Sequence, residues 1–117
     1  MWLCTQHGFY SIVRKADGAF HVRARRRQDL VNLRDLVFGR GYRRALRWTI
    51  HRTQPADYRW RIIVHEADRA VIFAVLGSAI DYTNFKARIH ARPDQREKAH
   101  AYGCLWAELH HLQEEGA

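Results

Sequence analysis

Early in the chain, apolar and polar residues alternate. Phe20, Val22 and Ala24 fill every second position, with His21, Arg23 and Arg25 between them. A period of two marks a strand with one buried face and one solvated face, here a basic one. Before it, Phe9-Tyr10-Ser11-Ile12-Val13 is aromatic and β-branched, as strands are. Trp2 to Thr5 reads as a further strand, closed by a Gln6-His7-Gly8 turn, and Ala16-Asp17-Gly18 is a hairpin signal. The chain is therefore expected to open as a three-stranded antiparallel meander.

The period then lengthens. Asp29 is expected as the N-cap of a helix in which Leu30, Leu33, Leu36 and Val37 recur at helical spacing, and Gly39 and Gly41 end it. Residues 40–56 show no firm pattern, although Trp48 and Ile50 alternate as in a short strand or an ordered loop. From Tyr58 to Val64 the alternation returns, with Tyr58, Trp60, Ile62 and Val64 on one face and Arg59, Arg61, Ile63 and His65 on the other. Glu66-Ala67-Asp68 opens a second helix with acid where the dipole favours it, and Val71, Ile72, Val75 and Leu76 form its apolar face. Asp81 to Phe85 interrupts the pattern, and Lys86 to His90 reads as a turn or short helix. Pro93 suits the first position of a last helix. There Tyr102, Leu105, Trp106, Leu109 and Leu112 give the strongest helical signal in the chain, and Gln113 to Ala117 is expected to fray. The order β-β-β-α-(β)-β-α-α predicts an α+β fold, an antiparallel sheet with helices packed on one face. A ferredoxin-like sandwich is a candidate, from which the opening meander departs.

Composition narrows this picture. The 117 residues suit a single domain, residues 1–117, and 47% hydrophobic content supplies its core. No stretch approaches the roughly 18 apolar residues of a membrane span, and the N-terminus lacks the basic start and apolar run of a signal peptide. A cytoplasmic protein with no membrane partner is expected. Cys4 and Cys104 lie at opposite ends of the chain, make no CxxC pair, and are expected as free, buried thiols.

Charge changes the picture most. Residues 14–52 hold twelve Lys/Arg against three Asp/Glu, whereas residues 53–117 hold eight against nine. Seventeen of the twenty cations are Arg, whose planar fork suits bidentate contact with phosphate or carboxylate. A GC-rich genome accounts for the Arg/Lys ratio but not for the clustering. Arg14, Lys15, His21, Arg23, Arg25, Arg26 and Arg27 gather around the hairpin, and Arg43, Arg44 and Arg47 join them if their loop folds back. Such a surface attracts polyanions. Phe20, Tyr10 and Tyr42 would stack bases if exposed. No RNP-like motif, GxxG clamp or helix-turn-helix spacing is present.

Other constellations point to weaker chemistry. In Asp81-Tyr82-Thr83-Asn84-Phe85-Lys86, Asp81 and Asn84 suit a capped turn, and Tyr82, Asn84, Phe85 and Lys86 are candidate partner contacts. His100, Cys104, Glu108 and His111 share one face of the last helix, but a single helix rarely converges four ligands, so a solvated face is expected and no metal. No GxSxG, P-loop, GxGxxG or HExxH is present, and neither Ser11 nor Ser78 has a recognisable base partner. His65 with Asp68 reads as helix-start chemistry. No catalytic residue and no cofactor are expected.

Taken together, Met1-Trp2-Leu3-Cys4-Thr5, Gly8-Phe9-Tyr10-Ser11-Ile12-Val13, His21-Val22-Arg23-Ala24-Arg25, Tyr58-Arg59-Trp60-Arg61, Ile80 to Lys86, and Ala99-His100-Ala101-Tyr102 with Leu105-Trp106 resemble a family of small bacterial proteins. The resemblance covers nearly the whole chain, and the segment Asp81 to Lys86 is its most specific piece. That family carries no established activity, so the resemblance implies a compact bacterial domain and no mechanism. The Arg-rich stretch Arg40 to Arg52 lies outside it. The leading expectation is a non-enzymatic binding module whose Arg-rich hairpin face contacts nucleic acid or another polyanion. The alternatives are an interaction or inhibitor module docking on an acidic protein surface, and a hydrolase or nuclease using the scattered histidines; a homodimer is left open.

Overall fold

The computed structural model describes residues 1–54 and 57–114. Its strands are β1 (Trp2–Cys4), β2 (Phe9–Arg14), β3 (Phe20–Ala24), β4 (His51–Arg52) and β5 (Trp60–Val64). Its α-helices are α1 (Arg27–Gly39), α2 (Glu66–Ser78), α3 (Phe85–Ala91) and α4 (Ala99–His110), with 3-10 turns at Arg43–Arg47 and Arg96–Lys98. The fold is α+β. All five strands form one antiparallel sheet, in the order β1-β2-β3-β5-β4. The meander stays contiguous and β5 adds beside β3, so the topology is not that of a ferredoxin-like sandwich. Among the described residues no helix is long and apolar enough to cross a membrane. The chain divides into two compact units, Met1–Asp81 and Tyr82–Ala117.

In the first unit, strand alternation sorts side chains into two layers. Tyr10, Ile12, Phe20, Val22, Ala24, Ile62 and Val64 are buried and cluster with Leu30, Leu33 and Val37 of α1 and Ile72 and Val75 of α2. The helices thus cover one face of the sheet. Two turns fix the register. At the β2–β3 turn Gly18 takes the left-handed conformation that other residues avoid, φ +85°, and the Asp17 carboxylate accepts the Ala19 N–H at 2.9 Å. At the β1–β2 turn the Thr5 hydroxyl accepts the N–H groups of His7 and Gly8, each at 3.1 Å.

Asp29 departs from its expected role. Arg26 holds the N-cap position of α1, without a side-chain cap bond. Asp29 is already helical and buried. Its carboxylate accepts the Phe9 N–H at 3.2 Å, and its carbonyl accepts the Tyr10 hydroxyl at 2.6 Å. A buried polar group needs partners, and Asp29 finds them on β2, which fastens the strand to the helix. At the other end of α1 the chain leaves through Gly41, φ +100°.

The patternless stretch from residue 40 becomes ordered structure: a 3-10 turn that buries Ala45, then Trp48, then the two-residue β4 on the sheet edge. Pro55 and Ala56, the end of that stretch, lie outside the described residues. Asp68, 2% exposed at the start of α2, gathers three donors. Its carboxylate accepts the Tyr42 hydroxyl at 2.6 Å and the His65 backbone N–H at 3.3 Å, and pairs with Arg44 at 3.7 Å. The hydrogen bond to the carboxylate pushes the Tyr42 pKa up.

In the second unit Asn84, not Asp81, caps a helix: its side chain accepts the Ala87 N–H at 2.9 Å at the start of α3. Pro93 does not begin the last helix. Residues 93–98 form a turn and a short 3-10 segment, and α4 starts at Ala99. Tyr82, Phe85 and Tyr102 form a chain of rings with centroids 5.8 and 5.3 Å apart. The expected apolar stripe of the last helix is not buried: Trp106, Leu109 and Leu112 are 64%, 54% and 75% exposed. Of the tail expected to fray, residues 115–117 lie outside the described residues.

Candidate nucleic-acid interface

The sheet face turned away from α1 and α2 presents Arg23, Arg25 and Arg61. Residue pairing places Trp2 of β1, Ser11 of β2, Arg23 of β3, Arg61 of β5 and His51 of β4 in a single row across all five strands. With strands about 4.8 Å apart, the row is about 19 Å long. The next row holds Val13, His21 and Ile63, and Cys4 pairs with Phe9 on the far side of the first.

Like charges directly opposite each other on a sheet repel, yet Arg23 and Arg61 are register partners. Neutral contacts hold them in place. An Arg23 Nη donates to the Ser11 hydroxyl at 2.6 Å, and the guanidinium lies 4.6 Å from the centre of the Tyr58 ring. Arg25 stacks on the same ring at 4.7 Å. An Arg61 Nη meets His21 Nδ1 at 3.0 Å. Among the described residues no carboxylate pairs with Arg23, Arg25 or Arg61. The Nε atoms of Arg23 and Arg61 are buried and without a hydrogen-bond partner among those residues. Partial burial, then the nearby Arg61 and Lys15 charges, push the His21 pKa down from its usual 6.5. Burial is the larger cause, and the Arg61, Lys15 and Arg23 charges add to it against an opposing Asp17.

The structure therefore brings His21, Arg23 and Arg25 together on one face, with Lys15 close enough to act on His21. Arg14, in the same hairpin, stands over Phe20 at 6.0 Å, toward the helix-covered layer. Arg26 and Arg27 are exposed at the start of α1. Arg43, Arg44 and Arg47 do not join the sheet face. Their 3-10 turn packs against α1, Arg44 bonds to Asp68, and Arg34 of α1 donates to the Trp48 carbonyl at 3.3 Å. The base-stacking candidates fare differently too: Tyr10 and Phe20 belong to the core, and Tyr42 bonds to Asp68. Besides Tyr58, which is buried beneath Arg23 and Arg25, this face carries Trp2, 62% exposed, and Phe9, which meets it edge to face at 5.9 Å.

Sequence reasoning overlooked Arg61, Tyr58 and Trp2 as parts of this surface. Strand alternation had placed Arg61 on the polar side of its strand; only the β3–β5 pairing puts it opposite Arg23.

In the second unit Tyr82 and Phe85 are half-buried, Asn84 serves as a cap, and Lys86 stands 6.0 Å from the Trp106 ring. His100 Nε2 and Cys104 Sγ lie 3.6 Å apart, beside a shallow groove that Lys86 and His90 also line. Among the described residues no third His, Cys, Asp or Glu joins such a pair as a metal-holding group. Both cysteines are free but neither is fully buried as expected: Cys4 is half-buried, which raises its pKa, and Cys104 is exposed on α4. No family model matches the chain, and no curated protein or solved structure matches it either.

Proposed function

We propose that this protein is a non-enzymatic module that binds nucleic acid through the open face of its sheet, by electrostatic contact with the phosphate backbone. The observation carrying this reading is the Arg23–Arg61 register pair, set in place by Ser11, Tyr58 and His21 and lacking a carboxylate partner among the described residues. Guanidinium groups held apart from acidic side chains remain available to phosphate, which their fork matches. Contacts of this kind position a backbone and do not read sequence.

Fluorescence anisotropy with short oligonucleotides tests this. If Lys15, Arg23, Arg25 and Arg61 each meet one phosphate, log K falls against log salt with a slope of about −3, so raising salt from 50 to 200 mM weakens binding about 60-fold. Arg23→Gln with Arg61→Gln reduces that slope by about 2. Absence of binding at low salt, or a flat salt dependence, refutes the proposal without relying on any variant.

A second reading rests on α4 and the turn that follows it. Trp106, Leu109 and Leu112 form an exposed apolar surface, and such surfaces mark protein contacts. In this reading the chain is an interaction module. Retention of a single stoichiometric protein after nuclease treatment, lost on Trp106→Ala, supports it over the first.

A further inference from the structure

We infer that the ligand of the sheet face is a single-stranded nucleic acid laid across the strands, one base stacked on Trp2 and its phosphates on Arg23 and Arg61. This rests on the nucleic-acid reading and specifies the class of substrate. Trp2 and Arg23 are both register partners of Ser11, one on each side. Their backbones are therefore about 10 Å apart, and the Arg23 guanidinium reaches back over β2 to the Ser11 hydroxyl at 2.6 Å. Ser11, between them, is 1% exposed. The row thus presents an aromatic plane beside a fixed positive charge, with a second guanidinium one strand further on.

Trp2 is the side chain that discriminates between ligands. It is 62% exposed, and its edge contact with Phe9 at an interplanar angle of 66° orients the ring without covering it. A duplex buries its base faces in its own stack and offers this sheet only phosphates. A single strand offers both phosphates and base faces, and an aromatic platform beside a cationic track suits that combination. Stacking is tolerant of sequence because every base has a π-face.

The full chain is titrated against one sequence in three labelled forms: single-stranded RNA, single-stranded DNA and DNA duplex. At least one single strand is expected to bind ten-fold or more tightly than the duplex; a difference between the RNA and DNA arms identifies the natural strand. Trp2→Ala is expected to weaken single-strand binding about ten-fold and to leave the salt slope unchanged. Trp2→Phe restores most of the affinity, since a ring remains to stack upon. Equal or tighter duplex binding overturns the inference. So does an undiminished Trp2→Ala affinity in a chain where Arg23→Gln with Arg61→Gln still weakens binding; both results leave the phosphate-binding reading standing. Failure of all three forms to bind at low salt removes that reading too, and preferential binding of a poly-glutamate peptide replaces both with an acidic protein partner.

Discussion

Gly8 lies where β1 turns toward β2 and Asp29 reaches across from α1. A Cβ at this position would sit 2.5 Å from Asp29 Cβ, 2.6 Å from its Cγ and 2.9 Å from the Tyr10 hydroxyl oxygen. Those atoms form the junction that ties β2 to the helix, through the Phe9 N–H and the Tyr10 hydroxyl. Gly8→Ala must displace the buried carboxylate or the strand. Overpacking of this kind costs about 1–3 kcal/mol. The expected outcome is a lower urea midpoint at unchanged m-value; an unchanged midpoint would show that the junction yields freely.

At the scale of elements, α3 depends on a cap more than on length. Its seven residues, Phe85–Ala91, are too few for a stable isolated helix. Asn84 takes the Ala87 N–H, one of the donors that a helix start leaves unpaired. Asn84→Ala is expected to remove about 1 kcal/mol of local stability, which amide hydrogen exchange reads as about five-fold faster exchange at Ala87. No change there would show that packing alone holds the turn. In α4 the apolar residues lie at the spacing their sequence announces, yet Trp106 and Leu109 stay exposed, as does Leu112 just past the helix. Helical periodicity determines that a helix has an apolar side; whether something covers that side depends on the rest of the molecule. Asp29 teaches a related lesson. An acidic residue ahead of a leucine repeat resembles an N-cap, but β2 supplied stronger partners and the helix began upstream.

Across the whole molecule, the charge has a location. Met1–Asp81 holds fifteen Lys/Arg against seven Asp/Glu, while Tyr82–Ala117 holds five against five. The first unit therefore carries the entire +8. Within it one group of cations, Arg23, Arg25 and Arg61, lies on the open sheet face, and another, Arg43, Arg44 and Arg47, on the turn packed against α1. Removing two charges from either side changes the net charge equally. If position governs binding, Arg43→Ala with Arg47→Ala weakens oligonucleotide affinity less than three-fold, against more than ten-fold for Arg23→Gln with Arg61→Gln. Equal losses would mean that the overall field, and not the row, attracts the ligand.

The sequence by itself determined the three meander strands, β5 and the presence of α1, α2 and α4, with their amphipathic faces and the side of the hairpin that is basic. Those are local properties: alternation along a strand and the turn chemistry of Asp17-Gly18 act over a few residues. It left residues 40–56 unread, because a 3-10 turn anchored by Ala45 and a two-residue edge strand have no period to detect. It also left the proposed interface half assembled. His21 and Arg61 meet across 40 residues of chain, and no pattern on either strand reveals that partnership. Pairing β3 with β5 set Arg61 opposite Arg23, and pairing β1 with β2 brought Trp2 beside Ser11. The tertiary structure decided these neighbours because strand order and register follow from burying the opposite face against α1 and α2, which fixes the exposed row as a consequence.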